Sequence, residues 1–265
     1  MAKLNFENKW VLITGTSSGL GQAIALYMAK NEKANLVVAA RRKNRLEQLK
    51  KEIESSGNTT VKIIPTDLNQ PQDVENLFKQ AVETADIYAV INNAGFTFYG
   101  KAEEAHFNTF DRIIEVNLKA MIHLSLRFLS WFQQKGEGAI LNITSEAGLV
   151  PIPYQLVYSA SKHGAQAFTE GLRMENRKSG IVISSFAPSG IATEMLTKSG
   201  LDKKHPLDSP FNMKAEKVAK LAVKAFKKKK HLAVPGFINK LTVFMVRFFP
   251  RWLVAAVAER LYRPE

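Results

Sequence analysis

Between residues 9 and 234 the chain alternates short apolar runs with helix-length segments, and this order restricts its architecture more than any other feature. The apolar runs fall at 9–14, 36–39, 61–65, 88–92, 139–144, 181–186 and 232–234. Between them, 20–31, 43–55, 72–84, 107–134, 154–178 and 214–227 read as helices. Short apolar strands separated by helices belong to a parallel sheet covered on both faces. The expected class is α/β, a single doubly wound parallel sheet over residues 1–235. A C-terminal appendage of amphipathic helices follows at 236–265. A chain of 265 residues is long enough to bury one such core. No linker-like stretch and no internal repeat divides it.

The first strand runs into Thr14-Gly15-Thr16-Ser17-Ser18-Gly19-Leu20-Gly21. Glycines at this point permit a tight turn and a close approach of backbone to phosphate. The helix that follows offers its unpaired N–H groups to the anion. Gly15, Ser17, Ser18, Gly19, Leu20 and Gly21 are therefore candidate cofactor contacts. At the end of the second strand an acidic residue would hydrogen-bond the ribose 2′-OH of NAD. This chain has Ala39-Ala40-Arg41-Arg42-Lys43 there, with no acid until Glu47. Guanidinium groups without a carboxylate suit a 2′-phosphate. NADP(H) is the expected cofactor, with Arg41 and Arg42 at the phosphate.

Tyr158 and Lys162 lie four residues apart, one turn along a single helix face. An ammonium so placed is expected to lower the pKa of the phenol, ordinarily about 10. A phenol tuned toward neutrality can serve as a general acid or base near pH 7. Alone the pair is a weak signal, because surface helices carry it often. It gains weight from Ser145, thirteen residues upstream of Tyr158, and from Asn117.

Taken in order, these pieces resemble the short-chain dehydrogenase/reductase family, in its single-domain branch, with NADP-dependent steroid-dehydrogenase-like reductases among the nearest in pattern. The matching runs are Thr14 to Gly21, Asp67-Leu68, Asn92-Asn93-Ala94-Gly95, Asn117, Ser145, Tyr158 with Lys162, and Pro188 to Thr193. They cover roughly residues 8–235. The resemblance implies a Rossmann fold and a catalytic set of Asn117, Ser145, Tyr158 and Lys162. Tyr158 would protonate a carbonyl oxygen as hydride arrives, and Ser145 would hold that oxygen. Lys162 would lower the phenol pKa and bond the nicotinamide ribose, and Asn117 would hold a water linking Lys162 to solvent. Asp67 and Leu68 would flank the adenine, with Asn93, Ala94 and Gly95 beside the cofactor. Pro188, Ile191 and Thr193 would lie near the carboxamide. The family usually has Pro-Gly after the sixth strand, whereas this chain has Pro188-Ser189-Gly190. Gly190 is expected to supply the lost backbone freedom one position later.

The chain has no cysteine, which excludes disulfides, thiol nucleophiles and thiolate metal sites. Its five histidines form no close His-x-x-x-His pair, so no metal site is expected. His163, beside Lys162, points to another helix face and is taken as structural. The apolar stretch 149–153 and a lid at 194–211 are expected to bound the substrate, a hydrophobic carbonyl or alcohol. Competing readings are a nucleotide-sugar epimerase or dehydratase, which shares Tyr-x-x-x-Lys, and a cofactor-sensing regulator without activity. The Asn92-Asn93-Ala94-Gly95 run and the short length disfavour the first, and the intact set of four residues disfavours the second.

The net charge of +13 is concentrated at the C-terminus. From Lys214 onward 13 Lys and Arg face 3 acids. Nucleic acid is not an expected partner, because no recognition motif accompanies the charge. Pro250 should split the apolar tail into two helices, and Arg247 and Arg251 oppose a membrane span. Three roles stay open for this tail: pocket cover, subunit interface, or contact with an anionic membrane surface beside Lys227-Lys228-Lys229-Lys230. Relatives commonly form homodimers or homotetramers through the helices carrying Asn117 and Tyr158. The apolar strand begins too close to the N-terminus for a signal peptide, so a cytoplasmic protein is expected, in peripheral contact with membrane if the tail binds it.

Overall fold

A computed structural model describes residues 3–57, 59–209 and 212–264. Seven strands form one parallel sheet. They are β1 (Trp10–Thr14), β2 (Asn35–Ala40), β3 (Val61–Pro65), β4 (Ile87–Asn92), β5 (Ala139–Ile143), β6 (Val182–Phe186) and, after two short strands, β9 (Leu232–Ala233). The short strands β7 (Ile191–Ala192) and β8 (Met213–Lys214) pair with each other outside the sheet. The sheet order is β3-β2-β1-β4-β5-β6-β9, so the winding reverses between β1 and β4. This is the doubly wound Rossmann arrangement, and ligands of such sheets bind at that reversal, beyond the carboxyl ends of the strands.

Alternation along the strands explains why both faces need helices. Val11 and Ile13 of β1 point into one apolar cluster, with Leu36 and Val38 of β2. Leu12 and Val37 point into the other. The first cluster is closed by α1 (Gly19–Glu32), α2 (Lys43–Ser55) and α8 (Ala215–Lys227). The second is closed by α3 (Pro71–Thr84), α5 (Ala120–Lys135) and the end of α6 (Leu156–Glu175). Phe128 and Phe132 of α5 are fully buried there.

The segment expected as one helix at 107–134 contains a defect. Helix α4 (Phe107–Ile114) passes through a π-helical turn, Glu115–Lys119, into α5. Such single π turns recur at functional sites, and Asn117 sits in this one, 1% exposed. The segment expected as a lid contains α7 (Glu194–Ser199) and a 3₁₀ turn at Leu201–Lys203. Its last two residues, 210 and 211, lie outside the described residues.

The tail forms α9 (Phe237–Met245), a 3₁₀ turn, and α10 (Arg251–Tyr262), with the break at Pro250. Among the described residues no helix is long and apolar enough to cross a membrane.

Candidate active site

The crevice at the sheet reversal is built by close backbone approach. Gly15 has φ +72, and a Cβ there would lie 2.7 Å from Ala94 Cα. A Cβ on Gly21 would lie 2.3 Å from the Gly15 carbonyl oxygen. Only glycine fits either position. The loops after β1 and β4 are laced together through Thr14. Its Oγ1 accepts from the N–H of Asn93 at 3.0 Å and of Ala94 at 3.1 Å. Asn93 Nδ2 returns a bond to the Thr14 carbonyl at 2.9 Å. Ser18, at the N-cap of α1, makes no side-chain cap bond, which leaves the first-turn N–H groups for an anion. Thr193 closes the far side, its Cγ2 3.2 Å from where a Gly19 Cβ would be. This cradle fits the pyrophosphate of a dinucleotide.

Arg42 lies over the same loop. Its guanidinium donates to Ser17 Oγ at 2.9 Å and Ser18 Oγ at 3.0 Å, and pairs with Glu194 of the lid at 3.3 Å. Arg45 reaches the other oxygen of Glu194 at 3.8 Å. The Lys198 and Arg42 bonds hold the Glu194 carboxyl below its usual range despite some desolvation. A carboxylate between two guanidiniums beside Ser17 and Ser18 marks an anion position at the end of β2. Arg41 points to solvent. Asp67 accepts from the Asn69 N–H at 3.1 Å, an Asx turn that shapes the loop after β3, and Leu68 is buried beside it.

The four expected catalytic residues converge at one end of this crevice. Helix α6 is fixed to the sheet by a buried polar network. Asn142 of β5 donates to Thr169 Oγ1 at 3.0 Å, and Thr144 to Gln166 Oε1 at 3.0 Å. Ser159 donates to the Ala147 carbonyl at 2.7 Å. Buried polar networks of this kind fix side-chain positions closely. Ser145 lies two residues beyond β5, at the start of the next turn, and is 9% exposed. Its Oγ accepts from Ala147 N–H at 3.1 Å, so it caps the following turn while facing Tyr158. Gly95 brings the β4 loop against the set: a Cβ there would meet Asn117 Oδ1 at 3.1 Å and Lys162 Nζ at 3.4 Å.

The phenol differs from expectation. Burial dominates the Tyr158 phenol and pushes its pKa up, and the Ser145 hydroxyl pulls it partly back. Lys162 Nζ stands 5.8 Å from the Tyr158 ring centre and donates to the Ile143 carbonyl at 3.0 Å. Burial pushes the lysine itself down to about 8. Tyr158 is thus held as a neutral phenol, the form that can donate a proton. Asn117 spends its amide on the backbone of Phe96, accepting from its N–H at 3.0 Å and donating to its carbonyl at 2.9 Å, and also donates to Ser161 Oγ at 3.2 Å. That side chain therefore pins the loop after β4 to the π turn.

The loop after β6 also departs from expectation. Pro188 O accepts from Glu146 N–H at 3.0 Å, which sets this loop against the catalytic turn. Neither Ser189 nor Gly190 has a positive φ, so the replacement of glycine needs no relief at Gly190. Ser189 Oγ instead accepts from Asn239 of α9 at 2.6 Å. Ile191 lies in β7, and His163 binds the Ser159 carbonyl at 2.9 Å in a structural role.

The tail folds back onto this region. Tyr99 donates its hydroxyl to the Tyr262 carbonyl at 2.8 Å, and Tyr154 donates to Glu259 at 2.6 Å. The ring of Tyr262 lies 5.1 Å from that of His205 in the lid. Leu149, Val150 and Pro151, expected to face substrate, line a groove of about 290 Å³ shared with Val243, Phe249 and Val254 of the tail. Tyr262, Glu259 and Glu194 carry no local pattern that marks them in the sequence. Their places depend on contacts across the whole chain. Among the described residues no cluster of three or more His, Asp or Glu side chains is set to hold a metal ion.

Residues 9–204 match the family model of the short chain dehydrogenases, and the chain belongs to that family. It is 29% identical over 206 residues to the very-long-chain 3-oxoacyl-CoA reductase of Anas platyrhynchos, a match covering 74% of this chain and 65% of that reductase. The chain thus spans a little under two thirds of that relative. Its fold is similar to that of a short-chain dehydrogenase from Sphingobium yanoikuyae solved with NADPH, with 27% identity, a TM-score of 0.81, and coverage of 92% and 97% of the two chains. It is also similar to the bulky-bulky ketone specific alcohol dehydrogenase from Comamonas testosteroni, with 26% identity, a TM-score of 0.78, and coverage of 91% and 92%.

Proposed function

We propose that the protein reduces a hydrophobic ketone or aldehyde with NADPH, and oxidises the corresponding alcohol in reverse. The observation that carries this is the convergence of Ser145, Tyr158 and Lys162 at the end of the crevice whose β2 corner holds Arg42. Bound NADPH supplies the hydride. Ser145 donates to the carbonyl oxygen and holds it beside the phenol. Tyr158, neutral by burial, releases its proton to that oxygen as negative charge develops. A donor aimed at such charge contributes about 3 kcal/mol. Lys162, buried and near neutrality, stabilises the resulting phenolate and returns a proton to it. The expectation of NADP(H) is supported by the Arg42 and Arg45 pocket, which a lid carboxylate fills. The retained tetrad residues speak against a non-catalytic sensor. The test is NADPH oxidation measured across aldehydes, ketones and 3-oxoacyl thioesters. No turnover with cofactor bound would favour the sensor.

A second reading concerns location, and a specific surface favours it. Phe237, Ile238, Phe248 and Trp252 of the tail are 81%, 72%, 68% and 71% exposed, beside Lys240, Arg247 and Arg251. Aromatic and aliphatic side chains bordered by cations suit an anionic bilayer surface. The protein is then a cytoplasmic enzyme in peripheral contact with membrane. It should float with vesicles containing phosphatidylglycerol and stay behind with neutral ones. Equal behaviour with both would refute it. Exposed Phe107, Leu126 and Met174 on α4, α5 and α6 favour pairing of two chains through those helices, and sedimentation of a monomer would refute that.

A further inference from the structure

We infer that the substrate side of the site holds a second polar pole, formed by Glu146, His205 and Tyr262, which receives a hydroxyl or amine carried by the substrate beside its reacting carbonyl. This rests on the reductase reading above and narrows its substrate class.

Glu146 directly follows Ser145. Its main chain is fixed on both sides, donating to Pro188 O at 3.0 Å and accepting from Leu149 N–H at 2.8 Å and Val150 N–H at 3.1 Å. Its Oε1 is buried without a hydrogen-bond partner among the described residues. His205 arrives from the lid, and its Nε2 is buried and unpartnered in the same way. Tyr262 joins the two. Its ring packs on His205 at 5.1 Å. Its phenol lies within electrostatic reach of both Glu146 and Tyr158, each of which pushes its pKa up after burial has done so. Three separate elements thus meet at Tyr262: the turn after β5 and Tyr158 lie within its electrostatic reach, and His205 packs on its ring.

Buried polar atoms are nearly always paired, and an unpaired one is costly. Desolvation alone pushes the Glu146 carboxyl up to about 7, as expected of a carboxyl that no cation or donor of the protein relieves. A carboxyl oxygen one residue from Ser145 and a ring nitrogen against Tyr262, both left open, call for a hydrogen-bonding group from the ligand. A plain hydrocarbon ketone would cover both and satisfy neither. A site built around such groups discriminates strongly against an analogue lacking the donor. The apolar surroundings then hold the rest of the chain.

The test compares kcat/KM at saturating NADPH for three matched long-chain ketones: the plain 2-alkanone, its 1-hydroxy form and its 1-amino form. The wild type should favour a donor-bearing ketone by roughly 10-fold or more. Preference for the amine over the hydroxyl would identify a charged partner, and the reverse a neutral one. Glu146→Leu, close in volume, should shift the ratio toward the plain ketone by at least that factor. Should that variant fail to fold, Tyr262→Phe removes a single oxygen and should lower the same ratio. Equal kcat/KM on all three ketones in the wild type, or an unchanged ratio in the variants, would overturn the inference alone. Absence of turnover on every ketone, with NADPH bound, would remove the reductase reading and this inference with it.

Discussion

Tyr158→Phe is expected to lower turnover of any carbonyl substrate by roughly 10²–10⁴-fold while NADPH binding persists. The substitution removes only the hydroxyl that the site keeps protonated. The ring packing and the bonds that hold α6, from Ser159, Gln166 and Thr169, are untouched. Single-turnover kinetics and cofactor titration separate the two readouts, and undiminished turnover would refute Tyr158 as proton donor. Lys162→Met gives a contrasting result. The lysine titrates near 10.5 when unfolded and at about 8 when folded. Burying its charge therefore costs the cofactor-free fold roughly 3 kcal/mol at pH 7. That cost is fully present below about pH 8 and fades as pH rises toward 10.5. Lys162→Met should lose turnover yet melt higher at pH 7, with the gain shrinking as the solution becomes alkaline. A lower melting temperature at pH 7 would show that the bond to the Ile143 carbonyl outweighs desolvation.

The second large effect is on cofactor choice. Arg42→Ala should weaken NADPH by roughly 10- to 100-fold, the range for losing charge-assisted hydrogen bonds, and weaken NADH little. Arg42 is already aimed at the loop by Ser17 and Ser18 and is half-paired with Glu194. Because a 2′-phosphate would compete with that carboxylate, Glu194→Gln should tighten NADPH relative to NADH. Arg41, exposed to solvent, should matter less. Equal losses for the two cofactors in Arg42→Ala would show a general role in loop packing rather than phosphate recognition. The same titrations measure all three variants.

What the sequence reveals follows from how local the chemistry is. The strands and most helices are legible because burial on two faces imposes apolar runs, and α2 falls where it is expected, at Lys43–Ser55. The glycine loop, Arg42 and the Tyr158–Lys162 pair are legible as candidates because each proposed role needs particular residue types at fixed spacing. The π turn at Asn117 is not, since its residues keep helical backbone angles and the 3.6-residue period passes through it almost unmarked. The placement of Tyr262 is hidden for another reason: its tie to Tyr99 joins positions 163 residues apart. The direction of Lys162 is equally hidden. Spacing places it one turn from Tyr158, but only the fold shows that the Ile143 carbonyl takes its ammonium. Ser189 illustrates a replacement that looks strained in sequence and is not, because the backbone there never uses the left-handed region.

Hydride transfer from NADPH to a carbonyl whose oxygen Tyr158 protonates would leave an isotopic mark on the product. The most direct measurement mixes the purified protein with NADPH deuterated at the nicotinamide C4 and a panel of hydrophobic ketones, then analyses the products by mass spectrometry. The expected product is an alcohol carrying one deuterium on the former carbonyl carbon, formed by the wild type and lost in Tyr158→Phe. Unlabelled alcohol, or intact ketone throughout with NADPH bound, would contradict it.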